Sequence, residues 1–510
     1  MSASIRRRFA FTVGANLLRS VLSFATGMLL ARWLGPASFG RMAFLLGTFV
    51  ALRQLLDMGS SMAFFTFMSQ RPRSRAFVNA YLSWLGLQIL LALLFIGLLF
   101  PSEWVAFIWR GEPRTLVLLA LAAAFMQNSV WPVLQQAGES QRRTFPVQAV
   151  GVAIVAMHFV VVVVLWLFGE LAVPAVLIAT AIEYMIGAWV VRGMLAYEEP
   201  APASEAPRVS IVREYVRYCL PMVPYTWAAF AYEFTDRWLL QRFGGSVEQA
   251  YYAVSSQFAA IALIATTSIL NIFWKEVAEA HHRGDQARMA LLYRRVSRLL
   301  FLAGAAMAGY LCFWAEDLLR VVLGAAYIGG ATTLAIMFLY PVHQSMGQIG
   351  STMLYATERV SVQVAMGIGF MILSVLVTYA VLAPADAPVP GLGLASVGLA
   401  LKMVLLQFVQ VNLIAWLIAR LWRWPFDFVH QPVTLVGCVL LGWIAHAAAT
   451  ALVGGAWPVP ALMALGAVIY LALVAALVYA MPWLAGVARA ELLADASLLI
   501  RRTRLALKAR

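Results

Sequence analysis

Long apolar segments recur along almost the whole chain, and they restrict the fold more than any other feature of the sequence. About fourteen of them reach the roughly 20 residues that a helix needs to cross the hydrocarbon core of a membrane. Because every backbone polar group at membrane depth must be satisfied internally, segments of this length are expected to be helices. We therefore predict an all-α polytopic membrane protein. The approximate ranges are 10–34, 41–67, 78–100, 115–138, 147–168, 172–195, 218–243, 251–275, 297–315, 332–356, 362–383, 392–420, 432–453 and 459–481.

The distribution of charge supports the same interpretation. Of the 510 residues, 63% are hydrophobic and 12% are charged, whereas soluble domains have about 25% charged residues. The net charge of +14 is carried by basic residues in the short connections between apolar segments, so we expect no nucleic-acid partner. With the N terminus in the cytoplasm, most of the 37 lysines and arginines fall on the cytoplasmic side, as the positive-inside rule requires. An even number of crossings then places both termini in the cytoplasm.

A stretch rich in Pro, Ala and Glu, at 197–210, divides the predicted spans into six and eight. Its composition favours an extended tether. A repeat supports the division, because ARWLGPASFGRMA at 31–43 aligns without gaps with QRFGGSVEQAYYA at 241–253, matching Gly35 to Gly245. Six spans return the chain to the same side, so the repeats would be parallel. The predicted domains are an N-lobe of six helices (1–196), a cytoplasmic linker (197–217), a C-lobe of six helices (218–420), two additional helices (421–483) and a basic cytoplasmic tail (484–510).

Charged residues occur in several predicted spans, far from the ends. A charge at that depth costs about 2.5 to 3.5 kcal/mol even on a lenient scale, so it should face a protein interior or a wet cavity. Arg53 and Asp57 are four residues apart, which places them on one helix face and favours mutual pairing. Arg19, Glu183 and Lys402 have no such partner on their own helices. Two explanations stay open for these residues, a structural contact between helices and a solvent-filled transport cavity.

The seventh predicted span carries a second charged group. Glu233 and Arg237 are four residues apart and lie beside Asp236, which favours a largely self-neutralised, structural cluster. No Walker motif, glycine-rich phosphate loop, nucleophile or metal-ligand constellation occurs in the sequence. The three cysteines also lack metal-ligand spacing. We expect no catalytic residue, no metal site, no cofactor and no direct use of ATP, and hence no enzyme.

Several stretches resemble polysaccharide exporters of the Wzx type and, more widely, the multidrug/oligosaccharidyl-lipid/polysaccharide (MOP) superfamily, which includes lipid II flippases and multidrug and toxin extruders (MATE). The resemblance covers most of the chain. It implies a V-shaped, MATE-like bundle of two six-helix lobes plus two additional helices. The stretches are LLARWLGPASFGRMAFLLG (29–47), LLDMG (55–59), LPMVPY (220–225), TDRWLLQRFGG (235–245), WKEVAEAHHRGD (274–285) and VVLGAAYIGGATTLAIMFL (321–339).

The resemblance implies a flippase of the bacterial inner membrane that moves undecaprenyl-pyrophosphate-linked oligosaccharide by alternating access, for exopolysaccharide, O-antigen or lipopolysaccharide synthesis. Its partners would be that substrate, membrane lipids, and polymerase and chain-length proteins of the same pathway. By position, Arg19, Arg53 and Lys402 suit substrate binding, whereas Asp57, Glu183 and Asp236 suit ion coupling. Arginine agrees with this role, because its planar fork binds phosphate oxygens bidentately.

Three other classes of protein fit the sequence less well. A MATE-type antiporter of drugs or organic cations would have the same fold but would favour an acidic or aromatic cavity. A membrane glycosyltransferase or polymerase would need a sizeable external loop, and the largest clear one, at 101–114, is short. A purely structural scaffold is disfavoured by the charges inside the spans. The sequence leaves the sugar, the polymer and the coupling ion open.

Overall fold

The computed structural model of the protein describes residues 3–70, 73, 75–195, 208–453 and 457–487. All regular secondary structure in these ranges is helical, which confirms the predicted fold class. Residues 197–207 of the predicted tether and 488–510 of the predicted tail lie outside the described ranges. The α-helices are α1 (Ala3–Asp57), α2 (Ser60–Gln70), α3 (Arg75–Leu94), α4 (Ser102–Ile108), α5 (Arg114–Phe125), α6 (Trp131–Ser140), α7 (Thr144–Leu167), α8 (Val173–Met194), α9 (Arg208–Cys219), α10 (Val223–Phe243), α11 (Gly245–His282), α12 (Gln286–Leu311), α13 (Ala315–Val322), α14 (Ala331–Met337), α15 (Tyr340–Ala356), α16 (Val360–Leu382), α17 (Ala395–Trp422), α18 (His430–Val453) and α19 (Val459–Ala480).

Eleven helical segments of the described chain are long and apolar enough to cross a membrane. The first, Phe11–Asp57, has 47 residues and is interrupted by a kink, so its length exceeds one crossing. This set does not include α10, whose sequence contains Glu233, Asp236 and Arg237. The figure of about fourteen crossings therefore stays a prediction.

The kink in α1 is made by a glycine. Gly35 has a φ of 75° and a ψ of 166°, and Pro36 follows it directly. Glycine adopts this left-handed region without a steric penalty, and proline suits the first turn of the helix that follows. Gly245, the residue that aligns with Gly35 in the repeat, has a φ of 79° and begins α11. Both copies of the repeat thus change direction at the same aligned position.

A second interruption falls inside the predicted span 41–67. Helix α1 ends at Asp57, Met58 and Gly59 have φ values of 47° and 83°, and α2 begins at Ser60. The sequence RQLLDMGSS at 53–61 contains the turn and capping residues Asp, Gly and Ser, a signal that a prediction from hydropathy alone does not use.

Prolines explain two further helix starts. Pro221 lies in a 3₁₀ turn at Leu220–Met222, between α9 and α10. Helix α9 itself begins at Arg208, within the range 197–217 that the sequence assigns to a linker. Pro341 lies in the first turn of α15 and separates it from α14. At each site proline occupies a position where its missing N–H has no helical partner to lose.

The chain forms two compact units. The first contains residues 1–253 and 367–399, and the second contains 254–366 and 400–510. In the first unit α1 packs along both α7 and α10. A Cβ atom added at Gly40 would lie 1.7 Å from the Ser246 carbonyl oxygen and 3.1 Å from the Ala250 nitrogen, so the chain after the α1 kink closely approaches the start of α11.

In the second unit α12 packs against both α15 and α18. Glycine permits the close approach of α12 and α18, because a Cβ atom at Gly442 of α18 would lie 1.9 Å from the Gly309 carbonyl oxygen of α12. Arg298 on α12 pairs with Asp427 at 2.7 Å and donates to the Trp483 carbonyl oxygen at 3.0 Å. The end of the described chain is thereby attached to α12.

Candidate functional site

A polar network surrounds Arg19 in the first unit. The Arg19 Nη1 atom donates to the Gln148 Oε1 atom of α7 at 3.4 Å, and the Gln148 Nε2 atom donates to Glu139 Oε1 of α6 at 2.7 Å. Gln135 donates to the same Glu139 oxygen at 3.0 Å. The guanidinium also packs on α7 where Gly151 leaves room, since a Cβ atom there would lie 3.3 Å from Nη1. We call these residues the Arg19 network.

Glu183 lies close to this network and has a partner that the sequence analysis missed. Its Oε2 atom is 2.7 Å from Nδ1 of His158 on α7, while its buried Oε1 atom has no hydrogen-bond partner in the described structure. Arg19 and Glu183 both lie within electrostatic range of Tyr184. His158 did carry a signal, because it is the only titratable residue in the apolar stretch 149–168.

Arg53 and Asp57 do not form the ion pair that their spacing predicted, and no other ion pair of either residue is found within the described ranges. Arg53 instead lies within electrostatic range of Glu233 on α10. It borders a void of about 10 Å³ between α1, α3 and α5, which also contacts Gln88 and Ser129. The i,i+4 spacing predicted the wrong partner for Asp57. Asp57 is the last residue of α1, and its carboxylate accepts hydrogen bonds from the next helix, α2.

The Asp57 carboxylate caps the start of α2. Its Oδ1 atom accepts hydrogen bonds from the Ser61 backbone nitrogen at 2.9 Å and from the Ser60 hydroxyl at 3.0 Å. Its Oδ2 atom accepts from the Ser61 hydroxyl at 2.9 Å. A carboxylate at this place satisfies backbone N–H groups that have no partner inside the helix and suits the positive end of the helix dipole.

The charged residues of α10 are also distributed between neighbouring helices. Asp236 is buried and accepts a hydrogen bond from the Thr378 hydroxyl of α16 at 2.7 Å. Arg237 lies 5.7 Å from the ring centre of Tyr252 and packs on α1 at Gly47. Arg237 also acts electrostatically on Glu233, but the described contacts include no salt bridge between the two. We call Arg53, Glu233, Asp236 and Arg237 the Arg53 cluster.

Lys402 belongs to the second unit. It lies on α17 and is 2% exposed. Arg19 and Arg53 belong to the first unit. Among the described residues, no group of three or more His, Cys, Asp or Glu side chains is arranged to hold a metal ion.

The described fold and site define a multi-pass helical membrane protein with charged networks inside its spans. Solved structures with the same fold include the inward closed conformation of the lipid II flippase MurJ, with a TM-score of 0.66 and 11% identity over 92% of this chain and 99% of that one. The structure of an inward-facing multidrug resistance MATE transporter of the MOP superfamily matches with a TM-score of 0.58 and 15% identity over 79% of this chain and 96% of that one. The structure of a MOP superfamily transporter from Pyrococcus furiosus matches with a TM-score of 0.53 and 14% identity over 82% of this chain and 94% of that one.

A family model described as polysaccharide biosynthesis protein matches residues 5–273, more than half of the chain, and the protein belongs to this family. A search of curated protein sequences found no significant match. The family together with the MurJ-like and MATE-like fold confirms the expected membership of the MOP superfamily. The family match and the solved structures that share this fold, which are a flippase and transporters, agree with the expectation that this protein is not an enzyme.

Proposed function

We propose that the protein is a flippase that moves undecaprenyl-pyrophosphate-linked oligosaccharide repeat units across the bacterial inner membrane by alternating access, for the assembly of exopolysaccharide or O-antigen. The family match supports a role in polysaccharide biosynthesis. The fold supports transport, because structures with this fold include a lipid II flippase.

One observation carries the anionic part of the proposal. Arg19 and Arg53 lie inside apolar helices, and neither forms an ion pair among the described residues: Arg19 is held by the neutral amide of Gln148, and Arg53 lies beside Glu233 without a salt bridge. A cation at membrane depth without a paired carboxylate is unfavourable until an anion meets it. The pyrophosphate brings about two negative charges, which arginine binds bidentately. Lys402, on α17, is the third basic residue that we propose for substrate binding.

Loss of the gene should cause lipid-linked repeat units to accumulate on the cytoplasmic side, which can be measured by extracting membranes, releasing the oligosaccharides and quantifying them by mass spectrometry. The wild-type gene should reverse this accumulation. Arg19→Ala and Arg53→Ala should fail to reverse it at normal membrane abundance, because each loss of a charge-assisted contact of about 1.5 to 3 kcal/mol weakens binding roughly ten- to a hundredfold. Lys at either position should restore part of the activity.

The matched control is Arg320→Ala, since Arg320 pairs with Glu316 on α13 and is half exposed. This variant should complement fully. Absence of any lipid-linked intermediate in cells without the gene would exclude the proposal and favour the MATE-type antiporter, which should instead change the sensitivity of cells to organic cations.

Ion coupling would use the His158–Glu183 pair. The Nδ1 and Oε2 atoms lie 2.7 Å apart, within hydrogen-bond distance, while the Oε1 atom has no partner among the described residues and is available to a second donor. Arg19, Glu139 and Tyr184 are the other titratable groups of this part of the first unit. Glu183→Gln should remove the pH dependence of transport in reconstituted vesicles, and His158→Gln should shift it. A Glu183→Gln variant with the wild-type pH profile would assign the pair a structural role only.

A further inference from the structure

The second unit contains a cavity of about 430 Å³. The described part of its lining is uncharged, unlike the Arg19 network and the Arg53 cluster of the first unit. Its volume lies in the range of ordinary ligand pockets, roughly 300 to 1,000 Å³. The described side chains that line it include no charged residue. Four glutamines line it instead, two from α15 and two from α17, together with hydroxyl-bearing and aromatic residues. We call it the glutamine cavity.

Helical spacing places these polar groups on facing stripes. On α15 the stripe runs from Tyr340 through Gln344, Gln348 and Ser351 to Tyr355, in steps of three or four residues that keep one face of the helix toward the cavity. On α17, Gln407 and Gln410 are three residues apart and form the facing part. Both helices belong to segments apolar enough to span a membrane. A polar stripe in such a helix is expected to face the protein interior or a wet space rather than lipid.

Three of the glutamine amides are unused. Within the described structure, the side chains of Gln344, Gln407 and Gln410 make no hydrogen bond. A glutamine that joins two helices uses its amide in hydrogen bonds to the neighbouring helix. Gln431 of α18, for example, exchanges two hydrogen bonds of 2.8 and 3.2 Å with Asn412 of α17. Each free amide offers two N–H donors and one carbonyl acceptor. The cavity therefore presents hydrogen-bonding capacity that no protein group uses.

The walls of the cavity bring an amide and an aromatic surface close to any occupant. Gly347 allows Gln407 to lie directly on α15, because a Cβ atom at Gly347 would be 2.8 Å from its Nε2 atom. At the edge of the cavity the rings of Trp274 and Tyr355 stack, with centres 5.9 Å apart and planes 13° from parallel. A flat aromatic surface beside neutral donors and acceptors is complementary to a sugar ring, which has apolar C–H faces and a rim of hydroxyl groups.

We propose that the glutamine cavity binds the neutral sugar residues of the transported molecule. This inference rests on the proposed function and assigns the sugar and pyrophosphate parts of the substrate to different groups of the protein. A lining without a cation offers a pyrophosphate only uncharged hydrogen bonds, which are about half as strong as charge-assisted ones. Each hydroxyl of a sugar, in contrast, can both donate to and accept from an amide. Sites that hydrogen-bond a substrate hydroxyl discriminate strongly against analogues that lack it, so the cavity would also select the repeat unit.

The test uses the full-length protein in lipid nanodiscs and two probes. One is the lipid-linked repeat unit extracted from cells that lack the gene, and the other is undecaprenyl pyrophosphate without sugar. The wild type should bind the sugar-bearing lipid more tightly. Gln344→Leu and Gln407→Leu should each weaken binding of that lipid about three- to tenfold, the effect of one or two neutral hydrogen bonds, and leave the bare lipid unchanged.

Two further variants make the result decisive. Gln363→Leu, which replaces a glutamine of α16 outside the cavity, should change neither affinity, and Arg53→Ala should weaken both lipids equally. If a leucine variant is not recovered as a monodisperse protein, Gln410→Asn keeps the amide, shortens its reach and should give the same selective loss. Equal binding of both lipids by the wild type, or an equal effect of the cavity variants on both, would overturn the inference while the proposed function stands. Failure of the sugar-bearing lipid to bind at all would remove the proposed function and this inference with it.

Discussion

Asp57, at the junction of α1 and α2, is a candidate for two roles, ion coupling and helix capping. As an intramembrane carboxylate it is a candidate for ion coupling, but three hydrogen bonds from Ser60 and Ser61 engage both of its oxygens. A cap needs an acceptor at this position and not a titratable group, because Asn and Asp cap helices about equally well. The two roles therefore respond differently to the same substitution.

We predict that Asp57→Ala lowers stability by about 1 kcal/mol, the usual effect of removing a helix cap, and reduces membrane abundance. Asp57→Asn should retain the cap and the abundance. Thermal unfolding in detergent, followed by size-exclusion chromatography, measures the first effect, and complementation of polymer export measures the second. Export at the wild-type level in Asp57→Asn would assign Asp57 a capping role alone, whereas loss of export at normal abundance would support coupling.

The identities of the buried charges could be predicted from the sequence, but their partners could not. A charge inside an apolar run is visible locally, which is why Arg19, Glu183 and Asp236 were singled out. Their partners are brought in by tertiary packing: Gln148 lies 129 residues from Arg19, and Thr378 lies 142 residues from Asp236. The glutamine cavity was missed for a similar reason, since its two stripes belong to helices that are separate in the sequence.

At the scale of elements, glycines determine where helices turn and where they approach one another. The predicted break near 35 is correct in position, but the chain kinks there instead of forming a loop, because the change of backbone conformation is confined to Gly35. The break at Met58 and Gly59 lies beside the capping residues Asp57 and Ser60, but hydropathy alone does not detect it. Helix type was therefore predictable from hydropathy over about twenty residues, whereas helix ends depend on one or two backbone angles.

Gly40→Ala tests the closest of these approaches. The new Cβ atom would meet the Ser246 carbonyl oxygen at 1.7 Å, so α1 and α11 would have to separate. We expect a loss of about 1 to 3 kcal/mol, as for other overpacked sites, and a lower unfolding temperature in detergent. Gly86→Ala in α3 is the matched control, because nothing lies within 4 Å of its added Cβ atom. If both variants unfold at the wild-type temperature, the contact between α1 and α11 is looser than the structure indicates.

At the scale of the whole molecule, the asymmetry of lysine and arginine predicts the orientation in the membrane. We expect the termini and the tether at 197–210 to be cytoplasmic. The three native cysteines, Cys219, Cys312 and Cys438, can first be replaced by alanine. A single cysteine introduced by Ser204→Cys should then resist a membrane-impermeant thiol reagent in intact spheroplasts and react after lysis. Rapid labelling of intact spheroplasts would reverse the predicted orientation.

The close approach of α1 and α11 joins equivalent parts of the repeat. Gly40 aligns with Ala250, and the two lie against each other just after the turns at Gly35 and Gly245. Two copies of a half-length ancestor would meet in this way across a twofold axis, because a symmetric interface brings residues near their own counterparts. A chain that carries both copies keeps the partner surface permanently present, at an effective concentration independent of expression level. The two surfaces are also encoded separately, so each can change alone, and this contact has glycine on one side and alanine on the other.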